Sequence, residues 1–267
     1  MNKKIPLHWS FDYNQGAQKP DYAQELIKLL QWYEAPVTSD DVDEVSTQHK
    51  RHVYQILPNY WRGYNRKNNQ DELVSIGEVV VDRELENGDI WEYNVHYRNE
   101  TNGENIKFHF SCRDEIYRPL HEDWHVDVHN SCIDSYSKLS WDGDFTSDSE
   151  IQLRIHNTKI NAGKVENNLP ITCNWTLFDV FPALINENKK IEEYVDIAIL
   201  DDLEQLRPKC RIGYLDTIEY PIPLEGYFLY GTGLLPSYWW VDAYGNTVIV
   251  SSVFETLVLK EITVDTA

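Results

Sequence analysis

The run His121-Glu122-Asp123-Trp124-His125-Val126-Asp127-Val128-His129 concentrates three imidazoles and three carboxylates in nine residues. On an extended strand successive side chains alternate between faces, so His125, Asp127 and His129 share one face, with His121 and Asp123 continuing it. Two earlier segments add to that set. Trp91, Tyr93, Val95 and Tyr97 alternate with Glu92, Asn94 and His96, and Ile106, Phe108, Phe110 and Cys112 alternate with Lys107, His109 and Ser111. Keeping both apolar sets on one face of a sheet requires paired residue numbers to sum to an odd value. His96 then falls opposite or diagonal to His109, on the face that carries His125 and Asp127.

Imidazole beside carboxylate is a proton-moving combination, because the carboxylate fixes the ring's tautomer and tunes its pKa. His96, His109, His125 and Asp127 are therefore the candidate catalytic residues. His125, Asp127 and His129 are weaker candidates to ligate a divalent metal. The competing reading is a hydrated polar face: if Trp91, Phe108 and Trp124 look into the core, the histidines look into water.

Aromatic residues form the second constellation. Tyr227, Phe228, Tyr230, Tyr238, Trp239, Trp240 and Tyr244 crowd a stretch punctuated by Gly226, Gly231, Gly233 and Pro236. In Tyr238-Trp239-Trp240 neighbouring side chains point to opposite faces, so at least one tryptophan lines whatever the sheet encloses. Trp91, Trp124, Tyr230, Tyr238, Trp239 and Trp240 are the candidate ligand-binding residues, as the wall of a pocket or a platform for sugars. Aromatics that simply fill a β core are the alternative. Carboxylate pairs such as Asp201-Asp202 carry little weight among 44 acids, and Asp142-Gly143-Asp144 reads as a turn. No G-x-G-x-x-G, Walker loop, G-x-S-x-G elbow or H-E-x-x-H is present. No cofactor is expected.

The elements that must position these residues begin with two expected N-terminal helices. Tyr22, Leu26, Leu29, Leu30 and Tyr33 recur at helical spacing between Pro20 and Pro36, and a weaker stripe of Val42, Val45, Val53 and Ile56 runs from Ser39 to Pro58. From about residue 72 the period becomes two. Glu86-Asn87-Gly88-Asp89, Asn102-Gly103 and Tyr244-Gly245-Asn246 supply turns. Further strands are expected at 151–155, 193–199, 211–219, 226–230, 237–242, 247–254 and 256–263, with a helix at about 176–186. The predicted fold is mainly β: a single antiparallel, lipocalin-like barrel of about ten strands, with a two-sheet sandwich as the alternative. Residues 1–71 form the N-terminal helical segment and 72–267 the barrel domain. Trp61-Arg62-Gly63 resembles the tryptophan that opens lipocalin barrels, without that family's glycine-x-tryptophan order.

The net charge of −20 repels phosphate backbones and anionic bilayers, so neither nucleic acid nor membrane is an expected partner. No apolar run reaches the roughly 20 residues of a membrane helix. Four widely spaced cysteines contain no C-x-x-C pair, and Cys112 sits in an apolar register as a buried thiol would. A cytoplasmic location is expected. The leading functional reading is a small-molecule-binding barrel with an aromatic-lined pocket, open to cofactor-free isomerisation or cyclisation of an apolar or aromatic metabolite. A carbohydrate-binding or carbohydrate-active β protein is the alternative, and a metal-dependent enzyme the third.

Overall fold

Period-two alternation continues through most of the chain, and the computed structural model turns each such run into a strand. It describes residues 47–58, 75–86, 88–131, 137–147, 150–165, 169–186, 194–219 and 222–266. The first eight strands are β1 (Thr47–Pro58), β2 (Gly77–Glu86), β3 (Ile90–Asn99), β4 (Glu104–Arg113), β5 (Leu120–Asn130), β6 (Ser137–Ser147), β7 (Glu150–Ile155) and β8 (Thr158–Lys164). A short strand β9 (Ile171–Cys173) and a 3₁₀ turn, Asn174–Thr176, lead into the helix α1 (Leu177–Asn186). Then come β10 (Tyr194–Asp201), β11 (Gln205–Ile218), β12 (Leu224–Gly231), β13 (Leu234–Asp242), β14 (Thr247–Ser251) and β15 (Glu255–Thr266).

All fifteen strands belong to one sheet, ordered β8-β7-β6-β5-β4-β3-β2-β1-β15-β14-β13-β12-β11-β10-β9. Two sequential meanders thus meet at an antiparallel β1–β15 seam. Only β9 runs parallel to its neighbour, β10. The expected barrel of about ten closed strands is corrected in two respects: the described residues form fifteen strands, and among them the ladder does not close between β8 and β9. It is also one sheet rather than the two of a sandwich. The arms nevertheless curl until they touch. Trp124 on β5 and Trp141 on β6 both donate their indole N–H to the carbonyl of Leu203, the buried residue of the β10–β11 turn, at 2.9 and 3.2 Å.

Of the two expected N-terminal helices, the first, over residues 20–36, lies outside the described residues, as does Trp61-Arg62-Gly63. The second predicted helix is overturned where it is described, because Thr47–Pro58 is β1. Val53 and Ile56 suit a helical stripe, but His52, Tyr54 and Ile56 suit period two, and the strand gains two paired neighbours, β2 and β15. Asp142-Gly143-Asp144 is not a turn but the middle of β6. Gly143 faces Trp124 so closely that a Cβ there would lie 2.0 Å from the indole ring, which is why a glycine interrupts the apolar register.

The interior face carries the expected Tyr93, Val95, Phe108, Phe110 and Val126, joined by Val79 and Val81 of β2. α1, the one α-helix among the described residues, fills the middle of that interior. Its Phe178 and Phe181 rings lie 5.1 and 5.2 Å from Trp239. Pro182 removes the N–H that would bond the Phe178 carbonyl, and the Thr247 hydroxyl of β14 donates to that carbonyl instead, at 3.0 Å. A smaller cluster on the opposite face of the sheet joins Leu57, Trp240, Ile249 and Val258.

Candidate functional site

The histidine face points outward. Register places Asn94, His109, His125 and Asp142 in one row across β3, β4, β5 and β6. His96 pairs with Lys107 and so lies diagonal to His109. His96, His109, His125 and Asp127 together line an open hollow of about 400 Å³, with Arg51 and Lys107. The side chains of His109 and His125 are 60% and 43% exposed.

Each ring there has a partner. Asn94 and His109 approach at 3.0 Å, and Asn105 and His96 at 2.8 Å. His125 carries the strongest pairing: Nδ1 lies 2.7 Å from Asp142 and Nε2 lies 3.4 Å from Asp127. Its hydrogen bond to Asp142 raises its pKa above the ordinary histidine value, against a smaller opposing effect of burial. Asp142 was hidden by its reading as a turn residue. His129 is paired in register with Asn105 and Lys138. Among the described residues, no three His, Cys, Asp or Glu side chains converge as a metal ion requires.

The six candidate binding aromatics divide between faces. Trp91, Trp124 and Trp239 look into the interior, whereas Tyr230, Tyr238 and Trp240 lie on the other face by strand parity. Trp239 and Trp240 are both buried, so neither presents its ring to solvent.

A second constellation was not legible as a site. Lys50 on β1, Arg83 on β2 and Tyr93 on β3 form one cross-strand row on the interior face. Asp179, in the first turn of α1, meets this row. Arg83 Nε lies 2.9 Å from Asp179 Oδ2, and the Tyr93 hydroxyl donates to the same oxygen at 2.7 Å. Arg83 Nη2 donates to His52 Nδ1 at 3.1 Å, so that nitrogen is the acceptor and His52 is neutral. Burial, then the Arg83 charge, holds the His52 pKa well below the usual value. Burial opposes the charge on Asp179, yet Arg83 and the Tyr93 hydroxyl outweigh it and keep this carboxyl ionised at lower pH than usual.

The end of this row is framed by Trp91 and the β4–β5 loop. Trp91 donates to Asp114 at 3.0 Å, and Asp114 also pairs with Arg118. Arg118 adopts φ 45°, and its carbonyl accepts the Thr172 hydroxyl of β9 at 2.8 Å, pinning the loop across the interior. One signal could have exposed the constellation. Arg83 occupies the inward register set by Val79 and Val81, where a charge needs a partner.

No family model and no curated protein matches this chain. It is similar in fold to a crystal structure of a β-barrel-like protein of a domain of unknown function, DUF1849, from Brucella abortus. That match has 8% identity and a TM-score of 0.51, and spans 83% of this chain and 99% of the other. The likeness concerns fold alone: a mainly β, barrel-like sheet. Among the described residues no helix is long and apolar enough to cross a membrane.

Proposed function

We propose that the protein binds a small, largely apolar or aromatic molecule at the Trp91 end of its curled sheet. The observation that carries this reading is the Arg83–Asp179 pair with Tyr93 and His52, set inside an aromatic interior. Burying such groups costs several kcal/mol per ion before pairing, a cost that a purely structural core avoids with apolar side chains. Polar groups converging in an apolar enclosure are how ligand sites fix orientation. The free, buried state of Cys112, Cys173 and Cys210 supports the cytoplasmic location read from the sequence.

Tryptophan fluorescence titrated with aromatic, aliphatic and oligosaccharide compounds tests the reading. Saturable one-to-one quenching by an aromatic or apolar compound supports it; absence of saturation across the panel overturns it. A second reading, acid–base chemistry in the outer hollow, is favoured by one specific observation: the His125–Asp142 contact of 2.7 Å. There His125 would exchange a proton with a bound metabolite while Asp142 holds the ring. Turnover abolished by His125→Ala in a folded protein supports that role, and unchanged turnover excludes it.

A further inference from the structure

We infer that the Trp91 end of the interior is an anion site, which takes the carboxylate or phosphate group of a small molecule between Arg83, Lys50 and Arg118. This rests on the small-molecule reading above and names the chemical class of the ligand.

The first argument is charge. Lys50 and Arg83 are directly paired across β1 and β2, and like charges so placed repel. Arg118 joins them from the β4–β5 loop, its guanidinium 5.5 Å from the centroid of the Trp91 ring; Lys50 Nζ lies 5.9 Å from that ring. Against three cations stand two carboxylates among the described residues, Asp179 on Arg83 and Asp114 on Arg118. His52 accepts from Arg83 and adds no charge. Among the described residues the cluster therefore holds one positive charge in excess, inside a chain whose net charge is −20.

The second argument is unmet hydrogen bonding. Arg83 is 2% exposed, and its Nη1 has no hydrogen-bond partner among the described residues; buried Nε of Arg118 has none either. Leaving a buried donor unpaired is unfavourable, the more so when it is charged. An oxyanion supplies what both arguments lack: one negative charge and several acceptor lone pairs matched to guanidinium N–H groups. Burial lowers the pKa of Lys50; Asp179 opposes this, while Arg83 and Arg118 reinforce it. A bound anion would relieve that strain on the ammonium. The Trp91 ring lies beneath both cations, so an anion held between them sits beside an apolar surface.

Calorimetric titration of the full chain tests the inference with four probes: phenylacetate, its neutral isostere phenylacetamide, phenyl phosphate and inorganic phosphate. The expected result is at least tenfold tighter binding of phenylacetate or phenyl phosphate than of the amide. Tighter binding of phenyl phosphate than of inorganic phosphate assigns the anion to an aromatic molecule, and the reverse to free phosphate. Lys50→Met and Arg118→Met, at partly exposed positions, are expected to weaken anion binding at least tenfold and leave amide binding unchanged, with the circular dichroism of the parent. Amide binding equal to that of both aromatic anions, insensitive to these substitutions, overturns the inference and leaves the small-molecule reading standing. Binding of none of the four overturns the anion site; the small-molecule reading is then judged by its own broader panel.

Discussion

His52 on β1 and His125 on β5 sit on opposite faces of the same sheet, and their surroundings drive them in opposite directions. His52 is buried, accepts a hydrogen bond from a guanidinium and is held neutral. His125 is partly exposed, contacts two aspartates and is held toward its charged form. One side chain type thus serves as a fixed acceptor in the interior and as a titrating group outside. The difference lies in what surrounds each ring. Water screens the outer pair, while the low effective dielectric of the interior magnifies every unpaired charge.

Removing a carboxylate from each face is the strongest way to break this comparison. Asp179→Ala strands the Arg83 charge in the interior and is expected to cost about 3–5 kcal/mol in urea unfolding. Asp142→Ala, on the outer face, is expected to cost less than about 1 kcal/mol in the same experiment. Equal losses would show that the interior pair is hydrated. Replacing the pair together, as Arg83→Met with Asp179→Leu, is expected to recover most of the loss from Asp179→Ala, because no buried ion remains.

Gly143→Ala sharpens the contrast sterically. It drives a methyl group into the Trp124 indole and is expected to cost about 1–3 kcal/mol, read as a lowered urea midpoint.

Acid titration separates the histidines by sign. The folded-state pKa of His52 lies below its unfolded value, so its contribution to stability is present above about pH 6.5 and is lost as pH falls. The folded-state pKa of His125 is raised, so its contribution is present below that pH and fades as pH rises through the folded value. Exposure keeps the second effect small. Urea midpoints measured from pH 8 to pH 5 are expected to fall, and His52→Gln to flatten the fall. The smallest expected effect is spectroscopic: NMR titration of the His125 ring gives a pKa above 6.5, and Asp142→Asn lowers it.

Strand parity carried the sequence reading furthest. The odd-sum rule for the 90–97 and 106–112 segments puts His96 diagonal to His109, as the register shows. The strands from 90 to 130 were legible because alternation was clean, those beyond residue 194 as short apolar, β-branched and aromatic runs bounded by turn residues, and α1 because Leu177, Val180, Phe181 and Leu184 keep helical spacing. β6 and β8 escaped for physical reasons. Gly143 stands where β6 has no room for a side chain, and β8 is so exposed that it has no apolar face to alternate. β1 was misread because valine and isoleucine three apart satisfy a helical stripe, and the interior charge cluster was lost with it. Lys50 and His52 belong to that strand. Asp179 could be linked to them only through the folded topology, more than a hundred residues downstream.

The β1–β15 seam has a kinetic consequence. Every other antiparallel rung joins strands that follow one another in sequence, but this one brings together segments about two hundred residues apart. Closing so long a loop is slow and entropically unfavourable, so the two meanders are expected to form first and to dock last. Until β15 has emerged during synthesis, β1 has only β2 beside it and β14 has only β13. Both edges then offer unpaired backbone next to buried-type residues such as Ile56 and Ile249, the kind of edge on which nascent chains stick to one another.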